Sequence, residues 1–456
     1  MANRLPVEFL EGGRIAASPG GLVAALRSVI HDGDRWIGWG DTTASGPLAF
    51  DDTEVTLVPV PIDDDEAAGY YDGFANSVLW PLFHGRLRPV EVDRSQWEAY
   101  KRVNRRFADR AAEVAPQDST VWVHDYHLLL VPNLLRRRRP DLRIGFFLHI
   151  PFPPGPLFAT LPWRRELIAG MLGADLVGFQ LEDDAENFLA AADRSLGIDA
   201  EGHVVRRGTH TATVASFPIS VDVEKWEQLG QHAAAKGAAL RRELGREHVL
   251  LGIERLDYTK GVAARIRSLG EMLDRGEHAA EDVTLVQVAV PSRTDVPAYQ
   301  EERDDVLAAV AEVNERHRRV DGSGPVHLIE HGFGERQLAA WYRAADVLLV
   351  TSFADGMNLV AKEFVASRTD QDGVLVLSEF AGAVQELGVG ALIVNPYDTQ
   401  SVEMALTEAL RLTKDERSAR MGAMRRVLRR HDVHRWAASF LERLQPGDGR
   451  RLRSVG

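Results

Sequence analysis

Residues 347–363 read VLLVTSFADGMNLVAKE, and this stretch decides the fold class. The run Val347–Val350 is continuously apolar, as expected for a parallel strand that is buried on both faces. Asp355 and Gly356 are turn residues, and a helix-like stretch follows them directly. A buried strand, a turn and a helix in this order predict a β–α unit of an α/β protein.

The same alternation of apolar runs and helix-like stretches continues along nearly the whole chain. It predicts two series of strands, with a break near Pro218–Asp222. The first series comprises Val121–Val123, Ile144–Leu148, Leu176–Phe179 and Thr213–Phe217, and the second comprises Val249–Ile253, Thr284–Val290, Val326–Ile329, Val347–Val350, Val374–Leu377 and Leu392–Val394. Two series predict two doubly wound α/β domains, residues 1–220 and 221–430. We expect residues 431–456 to form a helix, Trp436–Leu444, that packs back toward the first domain, followed by a frayed tail.

Composition excludes several classes of protein. The chain has 456 residues, of which 45% are apolar and 27% charged, a balance typical of globular proteins with more than one domain. Its net charge of −13 disfavours nucleic acid and anionic membranes as partners. The absence of cysteine excludes disulfides, thiolate metal sites and thiol nucleophiles. We therefore expect a cytoplasmic protein without a membrane span or secretion signal, and a homo-oligomer remains open.

Two cations follow the predicted strand Val249–Ile253. Arg255 and Lys260 stand where this strand ends and a helix begins, and ligands of parallel sheets bind beyond the carboxyl ends of strands. They could be solvated surface charges, or they could hold an anion through charge-assisted hydrogen bonds of about 1.5–3 kcal/mol each. The helix that begins after Gly356 offers free N–H groups to a phosphate, and Glu363 two turns later suits a ribose. Together these segments predict a nucleotide-diphosphate site.

Polar residues also follow the strands of the first series. The segment 124–127 reads HDYH, but it lacks the acidic or thiolate partners of a zinc site, so Asp125 is better interpreted as an acceptor for sugar hydroxyls. His149 precedes the rigid turn Ile150–Pro154. Gly20 and Gly21 precede an amphipathic stretch and suit a loop that touches a ligand through its backbone. Neither the dinucleotide fingerprint nor the P-loop occurs, and we expect neither a metal nor another cofactor.

These segments, taken together and in order, resemble the trehalose-6-phosphate synthases of glycosyltransferase family 20. The resemblance extends over about residues 3–445 and rests on the segments Asn3–Val7, Ser18–Leu22, Tyr70–Pro81, Val123–Leu128, Phe146–Pro153, Glu254–Gly261, Asp355–Glu363, Ser378–Ala383 and Leu392–Tyr397. It implies the α/β GT-B fold, with two Rossmann-like domains facing across a cleft. It also implies retaining transfer of glucose from a nucleotide-glucose donor, UDP-glucose or GDP-glucose, to glucose 6-phosphate, giving α,α-trehalose 6-phosphate.

The resemblance also implies roles for individual residues. Those that resemble the acceptor site are Arg4, Tyr71, Trp80, Asp125 and Arg293. Those that resemble the donor site are Gly20, Gly21, His149, Arg255, Lys260, Phe333, Asp355, Asn358, Leu359, Val360, Ala361, Lys362 and Glu363, with Phe333 at the base. The implied catalytic set is Asp125, His149, Arg255, Lys260 and Asp355. No carboxylate pair of the glycosidase type is evident, and the family pattern implies front-face transfer without a metal.

The chain departs from the family pattern in two places. Only Met1 and Ala2 precede Asn3, where family members carry an apolar strand, so we expect the first central strand to be missing or to begin upstream, and Arg4 to be poorly anchored. Ser352–Ala354 replaces a Pro-Leu-Arg segment, which could change loop packing or donor choice. Two alternatives stay open: glucosylglycerol-phosphate synthesis with glycerol 3-phosphate as acceptor, and a non-catalytic relative that binds sugar phosphates.

Overall fold

The computed structural model describes residues 1–10, 14–17, 21–40, 46–50, 53–86, 92–198, 200–276, 278–294 and 296–445. The chain divides into two units. Unit 1 comprises residues 1–218 and the C-terminal segment from residue 434, and unit 2 comprises residues 219–433. The predicted boundaries were 220 and 430, and the predicted tail beyond residue 446 lies outside the described residues.

Strands and helices alternate in both units. The strands are β1 Val7–Leu10, β2 Arg14–Ala17, β3 Arg35–Trp39, β4 Gly46–Phe50, β5 Thr53–Val60, β6 Thr120–His124, β7 Arg143–Phe147, β8 Leu176–Phe179, β9 Ala200–Glu201, β10 Val204–Arg207, β11 His210–Ser216, β12 His248–Arg255, β13 Val283–Val290, β14 Val326–Ile329, β15 Val347–Val350, β16 Val374–Ser378 and β17 Leu392–Val394. The helices are α1 Gly21–Arg27, α2 Asp64–Ala67, α3 Trp80–Phe83, α4 Arg94–Val114, α5 Val131–Arg138, α6 Gly155–Phe158, α7 Arg164–Met171, α8 Glu182–Leu196, α9 Val223–His232, α10 Ala234–Leu244, α11 Val262–Asp274, α12 Pro297–Arg316, α13 Glu335–Ala344, α14 Leu359–Ser367, α15 Val384–Leu387, α16 Thr399–Arg411, α17 Lys414–Leu428 and α18 Val433–Leu444. A π-helix, Ala68–Leu79, and a 3₁₀ turn, Tyr126–Leu128, complete them.

The larger sheet of unit 1 is parallel in its centre and antiparallel at one edge. Its strand order is β6-β7-β8-β11-β10-β9, and the first four strands are parallel, as predicted. The strands β10 and β9, which the sequence analysis did not predict, pair antiparallel. A two-residue connection between Arg207 and His210 returns the chain at once, and Gly208 adopts the positive φ of 59° that a tight hairpin favours.

Residues 1–6 form no regular strand, but the backbone of residues 1–3 is hydrogen-bonded on two sides. On one side the amino group of Met1 donates to the Trp122 carbonyl over 2.8 Å, and the Met1 carbonyl accepts from the N–H of His124 over 3.0 Å. On the other side the Asn3 carbonyl accepts from the N–H of Trp39 over 2.8 Å. The first residues thus link β6 to β3, which belongs to a smaller sheet of order β3-β5-β4.

The sheet of unit 2 is parallel throughout, with the order β14-β13-β12-β15-β16-β17. The chain builds outward from β12 to one side and then from β15 to the other. The strand order therefore reverses between β12 and β15, and ligands of doubly wound sheets bind at such a reversal. The segments that follow these two strands, Leu256–Gly261 and 351–358, are brought to this point.

One α-helix of unit 1 follows a 3₁₀ turn. After β6 the chain makes the turn Tyr126–Leu128, and α5 begins at Val131 with Pro132 in its first helical turn. The last helix begins at Val433 rather than Trp436. Its Phe440 stacks on Trp122 of β6, with ring centroids 4.4 Å apart.

The glycines of β7 and β8 make room for this last helix. A Cβ atom at Gly145 or at Gly178 would lie 2.7 Å from the ring of Phe440. Glycine is therefore required at both places by the close approach of α18. Among the described residues, none of the helices combines the length and the apolar character that a membrane crossing demands.

Candidate active site

Three predicted site residues meet at the strand reversal of unit 2. The Lys260 ammonium donates to Oδ2 of Asp355 over 2.7 Å, and the Asn358 amide donates to the same oxygen over 3.0 Å. The Lys260 side chain is 11% exposed and that of Asp355 14%, so the ion pair is largely withdrawn from water. A carboxylate thus holds the ammonium in place beside the start of α14.

The start of α14 is organised by Asn358. Its backbone takes the strained φ of 87°, and its side-chain oxygen accepts from the N–H of Ala361 over 2.9 Å. The N–H groups of Leu359 and Val360 have no acceptor within the helix, because the first donors of any helix lack one. A helix start with such donors attracts an anion, since the helix dipole adds positive potential there.

Lys362 and Glu363 lie within α14 and are both buried. The Lys362 ammonium is paired with Glu386 and donates to the carbonyl of Ile219 over 2.7 Å. The charge of Lys362 is therefore bound within unit 2. Glu363 accepts a hydrogen bond of 2.7 Å from the hydroxyl of Tyr342. Burial raises the pKa of Glu363 to about 7, although this hydrogen bond opposes the shift.

A buried guanidinium supports the loop that carries Lys260. Arg265 of α11 donates to Thr351 over 2.9 Å and to Gln287 over 3.1 Å, and it is ion-paired with Glu254 at the end of β12. It also donates to the carbonyl of Lys260 over 3.3 Å. Arg265 thereby links β12, β13 and the residue after β15 beneath one loop. The sequence analysis did not identify Arg265, because an arginine on a helix is ordinarily solvated and only its partners explain its burial.

Arg293 follows β13, and its side chain is only 3% exposed. It donates to Oδ2 of Asp257 over 3.5 Å and also to the hydroxyl of Tyr299. Asp257 and Tyr299 were not predicted as site residues. The remaining predicted donor residues of unit 2 are more exposed: Arg255 ends β12, and Phe333 lies 5.0 Å from the ring of His331.

In unit 1, the predicted acceptor residues lie among aromatic rings. The guanidinium of Arg4 lies 4.5 Å from the centroid of Trp39 and 5.1 Å from that of Tyr71. Tyr71 stacks on His127 at 5.6 Å with the rings 10° from parallel. The Arg4 carbonyl accepts from the indole N–H of Trp36 over 3.0 Å, which holds the backbone, while the residue itself is exposed.

The π-helix brings Tyr71 and Trp80 to this aromatic group. Trp80 begins α3, directly after the π-helix, and is buried with its ring 5.6 Å from Tyr126. The Tyr126 hydroxyl donates to Asn76 of the π-helix over 2.7 Å. Wide helical turns of this kind occur frequently at functional sites. The sequence analysis identified Tyr71 and Trp80 but not Trp39 or His127, which join them only through folding.

Asp125 and His149 are in contact, as strand ends of one sheet. The N–H of His149 donates to Oδ1 of Asp125 over 3.3 Å, and Nε2 of His149 lies 3.0 Å from Nδ1 of His124. On its other side, Nδ1 of His149 lies 3.4 Å from the amide nitrogen of Gln180. Burial lowers the pKa of His149 to about 3, and burial with the neighbouring His149 lowers that of His124. Both imidazoles are therefore neutral at pH 7.

Backbone strain is concentrated at predicted site residues. Among the described residues, the non-glycine residues with positive φ are Asp118, Asp125, Arg293, Asn358 and Gln371. Three of these five are predicted to bind substrate: Asp125, Arg293 and Asn358. Such conformations cost of order 1–3 kcal/mol each and cluster at functional sites. Tertiary contacts impose them, so a sequence does not reveal them.

The glycine loop is described in part. Gly20 lies outside the described residues, and Gly21 is the first residue of α1. The described part of the chain contains no cluster of three or more histidine, aspartate or glutamate residues suited to a metal ion.

Comparison with known proteins identifies the family. The model of glycosyltransferase family 20 matches residues 3–446. The chain belongs to glycosyltransferase family 20. This family-20 chain is 45% identical over 469 residues to the trehalose-6-phosphate synthase of Mycobacterium marinum, covering 97% of the chain and 93% of the relative. The synthase of Mycolicibacterium smegmatis is 43% identical over 461 residues, with 97% and 91% covered.

Solved structures are similar over nearly the full length of the family-20 chain. An α,α-trehalose-phosphate synthase (UDP-forming) from Burkholderia xenovorans, in complex with glucose-6-phosphate, matches with a TM-score of 0.88 and 34% identity, covering 94% of the chain and 97% of the relative. An Escherichia coli structure bound with UDP-2-fluoro glucose matches with a TM-score of 0.85, 34% identity and the same coverage. The family-20 chain is thus a glycosyltransferase, and the predicted α/β GT-B fold class is confirmed.

Proposed function

We propose that the chain transfers glucose from a nucleotide-glucose donor to glucose 6-phosphate and forms α,α-trehalose 6-phosphate with retention of configuration. The observation that carries this proposal is the Lys260–Asp355 pair beside the start of α14, where a cation and helix N–H groups suit a diphosphate. Relatives named trehalose-6-phosphate synthase along nearly the full length of the chain support it.

The proposed donor chemistry follows from these charges. The C1–O bond to the diphosphate breaks as the anomeric hydroxyl of glucose 6-phosphate attacks C1 on the same face. The departing phosphate oxygen takes the proton of that hydroxyl, so negative charge builds up on the nucleoside diphosphate. Lys260, Arg255 and the start of α14 stabilise this charge, a preorganised electrostatic effect of about 2.7–4 kcal/mol per donor in known cases. Glu363 is proposed to accept from the ribose and Phe333 to contact the base.

We propose that the acceptor is bound by the residues that resemble the acceptor site of the family. Arg4 and Arg293 supply positive charge for the phosphate of glucose 6-phosphate, and Tyr71 and Trp80 border its sugar. Asp125 accepts hydroxyl hydrogen bonds, and its strained backbone, with φ of 77°, fixes the carboxylate. His149 contacts the donor glucose as a neutral imidazole. The presence of two arginines supports a phosphorylated acceptor of either sugar or glycerol type.

One product analysis tests this proposal. Purified protein is incubated with glucose 6-phosphate and UDP-, GDP- or ADP-glucose in parallel, with EDTA throughout, and the products are examined by NMR. We expect an α,α-linked phosphorylated disaccharide with at least one donor. Product only from a glycerol 3-phosphate arm would instead show a glucosylglycerol-phosphate synthase. Binding of both substrates without release of nucleotide would show a non-catalytic sugar-phosphate-binding protein.

The same proposal includes two further expectations, one about the location of the enzyme in the cell and one about its oligomeric state. We propose a cytoplasmic location, because both substrates are anionic sugar phosphates that do not cross a membrane unaided, and cell fractionation tests it. Light scattering of the purified protein tests whether the chain forms a homo-oligomer.

A further inference from the structure

One carboxylate in unit 2, that of Asp257, is hydrogen-bonded both to Thr259, in the loop that carries Lys260, and to Arg293. Asp257 is fully buried, two residues after the end of β12. Its Oδ1 accepts from the N–H and the hydroxyl of Thr259, over 3.0 and 2.8 Å. Its Oδ2 accepts from the hydroxyl of Tyr299 over 3.1 Å and from Arg293 over 3.5 Å.

The Oδ1 contacts determine the course of the loop that carries Lys260. They close a turn in which the N–H of Lys260 also donates to the Asp257 carbonyl over 2.9 Å. A turn closed by a side-chain oxygen in this way has its backbone fixed before any ligand binds. Lys260 leaves this turn with its ammonium on Asp355. The donor-side cation is therefore placed, through the backbone, by Asp257.

The Oδ2 contacts determine the place of Arg293. The guanidinium is nearly buried, and a buried cation requires a counter-charge. Asp257 supplies it, and Tyr299 bonds to both partners. Burial alone would raise the pKa of Asp257, but the charges of Arg293, Arg255 and Lys260 outweigh burial and hold it at about 2. The carboxylate is therefore ionised at neutral pH.

We propose that Asp257 is a positioning residue that places the acceptor-phosphate cation Arg293 and the donor-diphosphate cation Lys260 with its two carboxylate oxygens. This inference rests on the proposed function, because it takes Arg293 and Lys260 as contacts of the two substrates. Asp257 itself touches neither substrate in this assignment and acts through the residues that it holds.

The charge of Asp257 and its proposed positioning role predict opposite changes of KM for the Asp257→Asn variant. A carboxylate near two anionic substrates repels them, so if only its charge mattered, its removal would lower the KM of both. Asparagine, however, has one oxygen, and its NH₂ group would face either Thr259 or Arg293, each of which is a donor. If Asp257 positions the two cations, the variant therefore has a higher KM for both substrates.

The test measures both KM values and kcat for Asp257→Asn, with the same product assay as above. We expect each KM to rise about tenfold, which corresponds to about 1.4 kcal/mol, with the melting temperature followed in parallel. Asp321→Asn is a matched control, because Asp321 accepts from the N–H and hydroxyl of Ser323, over 2.9 and 2.6 Å, and from Arg246 over 2.6 Å, but is half exposed. This control should leave both KM values unchanged.

Tyr299→Phe provides a second variant that keeps the Asp257 charge and the Thr259 turn. Because the Tyr299 hydroxyl bonds to Asp257 and Arg293 only on the Oδ2 side, we expect the acceptor KM to rise about threefold while the donor KM stays unchanged. A lower or unchanged KM for both substrates in Asp257→Asn would overturn the inference. If Asp257→Asn does not fold, an unchanged acceptor KM in Tyr299→Phe would overturn it. Absence of product from the wild type would overturn the proposed function itself, whereas product from the wild type with unchanged variants would overturn only this inference.

Discussion

The two units build their groups of site residues from different chemistry. In unit 2 the buried cations of the site are held by carboxylates, in the pairs Lys260–Asp355 and Arg293–Asp257. In unit 1 the cation Arg4 lies over two aromatic rings, and the imidazoles of His124 and His149 share a hydrogen bond of 3.0 Å. Unit 2 thus presents cations fixed in ion pairs, and unit 1 presents a cation over aromatic rings and two neutral imidazoles.

This difference indicates which step each group serves. A fixed charge that is withdrawn from water stabilises the charge that develops during the reaction, so its removal lowers kcat. Aromatic surfaces contribute smaller and less directional energies that hold a sugar in place, and their effect appears in KM. Changes at Lys260 in unit 2 should therefore reduce turnover most, and changes at the rings of unit 1 should mainly weaken acceptor binding.

The largest effect is expected for Lys260→Ala. The variant loses a positioned ammonium that would stabilise the departing diphosphate, so kcat should fall on the order of 10²–10³-fold. Steady-state kinetics with saturating glucose 6-phosphate measure it. Lys236→Ala on the exposed surface of α10 is the control for the loss of a lysine and should turn over normally. Near-normal kcat in Lys260→Ala would contradict the assignment of fixed charge to the chemical step.

Arg293→Ala tests whether every cation of unit 2 acts on turnover. Because Arg293 is assigned to the acceptor phosphate, its loss should remove a charged hydrogen bond of about 1.5–3 kcal/mol, which raises the acceptor KM roughly 10–100-fold. Titration of glucose 6-phosphate at saturating donor measures this KM. Arg303→Ala, a half-exposed arginine paired with Glu330, serves as the control. An unchanged acceptor KM in Arg293→Ala would remove Arg293 from the acceptor site.

The predictability of the fold also differs between the units. In unit 2 the strands β14, β15 and β17 have the predicted bounds, as β8 does in unit 1. Of these, β15 and β8 are buried along their whole length, and such strands form continuous apolar runs. In unit 1 the sequence analysis missed the small sheet β3-β5-β4 and the hairpin β9–β10, whose residues are partly polar and pair locally. Gly208, between Val204–Arg207 and His210–Ser216, is the signal that would have identified the tight turn of the hairpin β10–β11.

The candidate site was predictable where its residues lie together in a contiguous sequence motif. Lys260 and Asp355 could be named because each follows a predicted strand. Arg265 and Asp257 could not, because their roles depend on partners up to 86 residues away in the chain. The spacing of Asp257 and Thr259 is nevertheless that of a side-chain-closed turn, and this was an available signal for a structural role.

A pH experiment sharpens the comparison for the neutral imidazoles of unit 1. His124 is 2% exposed, and burial lowers its pKa below the ordinary value of 6.5. As the pH falls below 6.5, the unfolded chain binds a proton at this residue before the folded chain does, so folding stability decreases. The loss approaches about 1.4 kcal/mol per pH unit. The free energy of unfolding of the wild type should therefore fall, relative to that of His124→Asn, as the pH is lowered from 6.5 to 4.5.

Denaturant unfolding of both proteins across this pH range measures the effect. Trp122→Phe is the control, because it changes the packing around His124, whose ring lies 4.6 Å from Trp122, without removing a titratable group. Its difference from the wild type should not depend on pH. A constant difference between the wild type and His124→Asn would show that His124 is not kept neutral by the fold.

The smallest effect is expected for Tyr71→Leu, which tests the rings of unit 1 directly. Leucine keeps apolar volume but removes the ring 5.1 Å from the Arg4 guanidinium and the stack on His127. A cation–π contact at a partly exposed position contributes about 0.5–1 kcal/mol, so the acceptor KM should rise about two- to fivefold while kcat and the donor KM stay unchanged. Tyr71→Phe separates ring from hydroxyl, because it keeps the ring. If Tyr71→Phe has the acceptor KM of the wild type, the ring is responsible for the effect. If it has the raised KM of Tyr71→Leu, a polar contact of the hydroxyl is responsible, and the contrast between the two units is weaker than their geometry indicates.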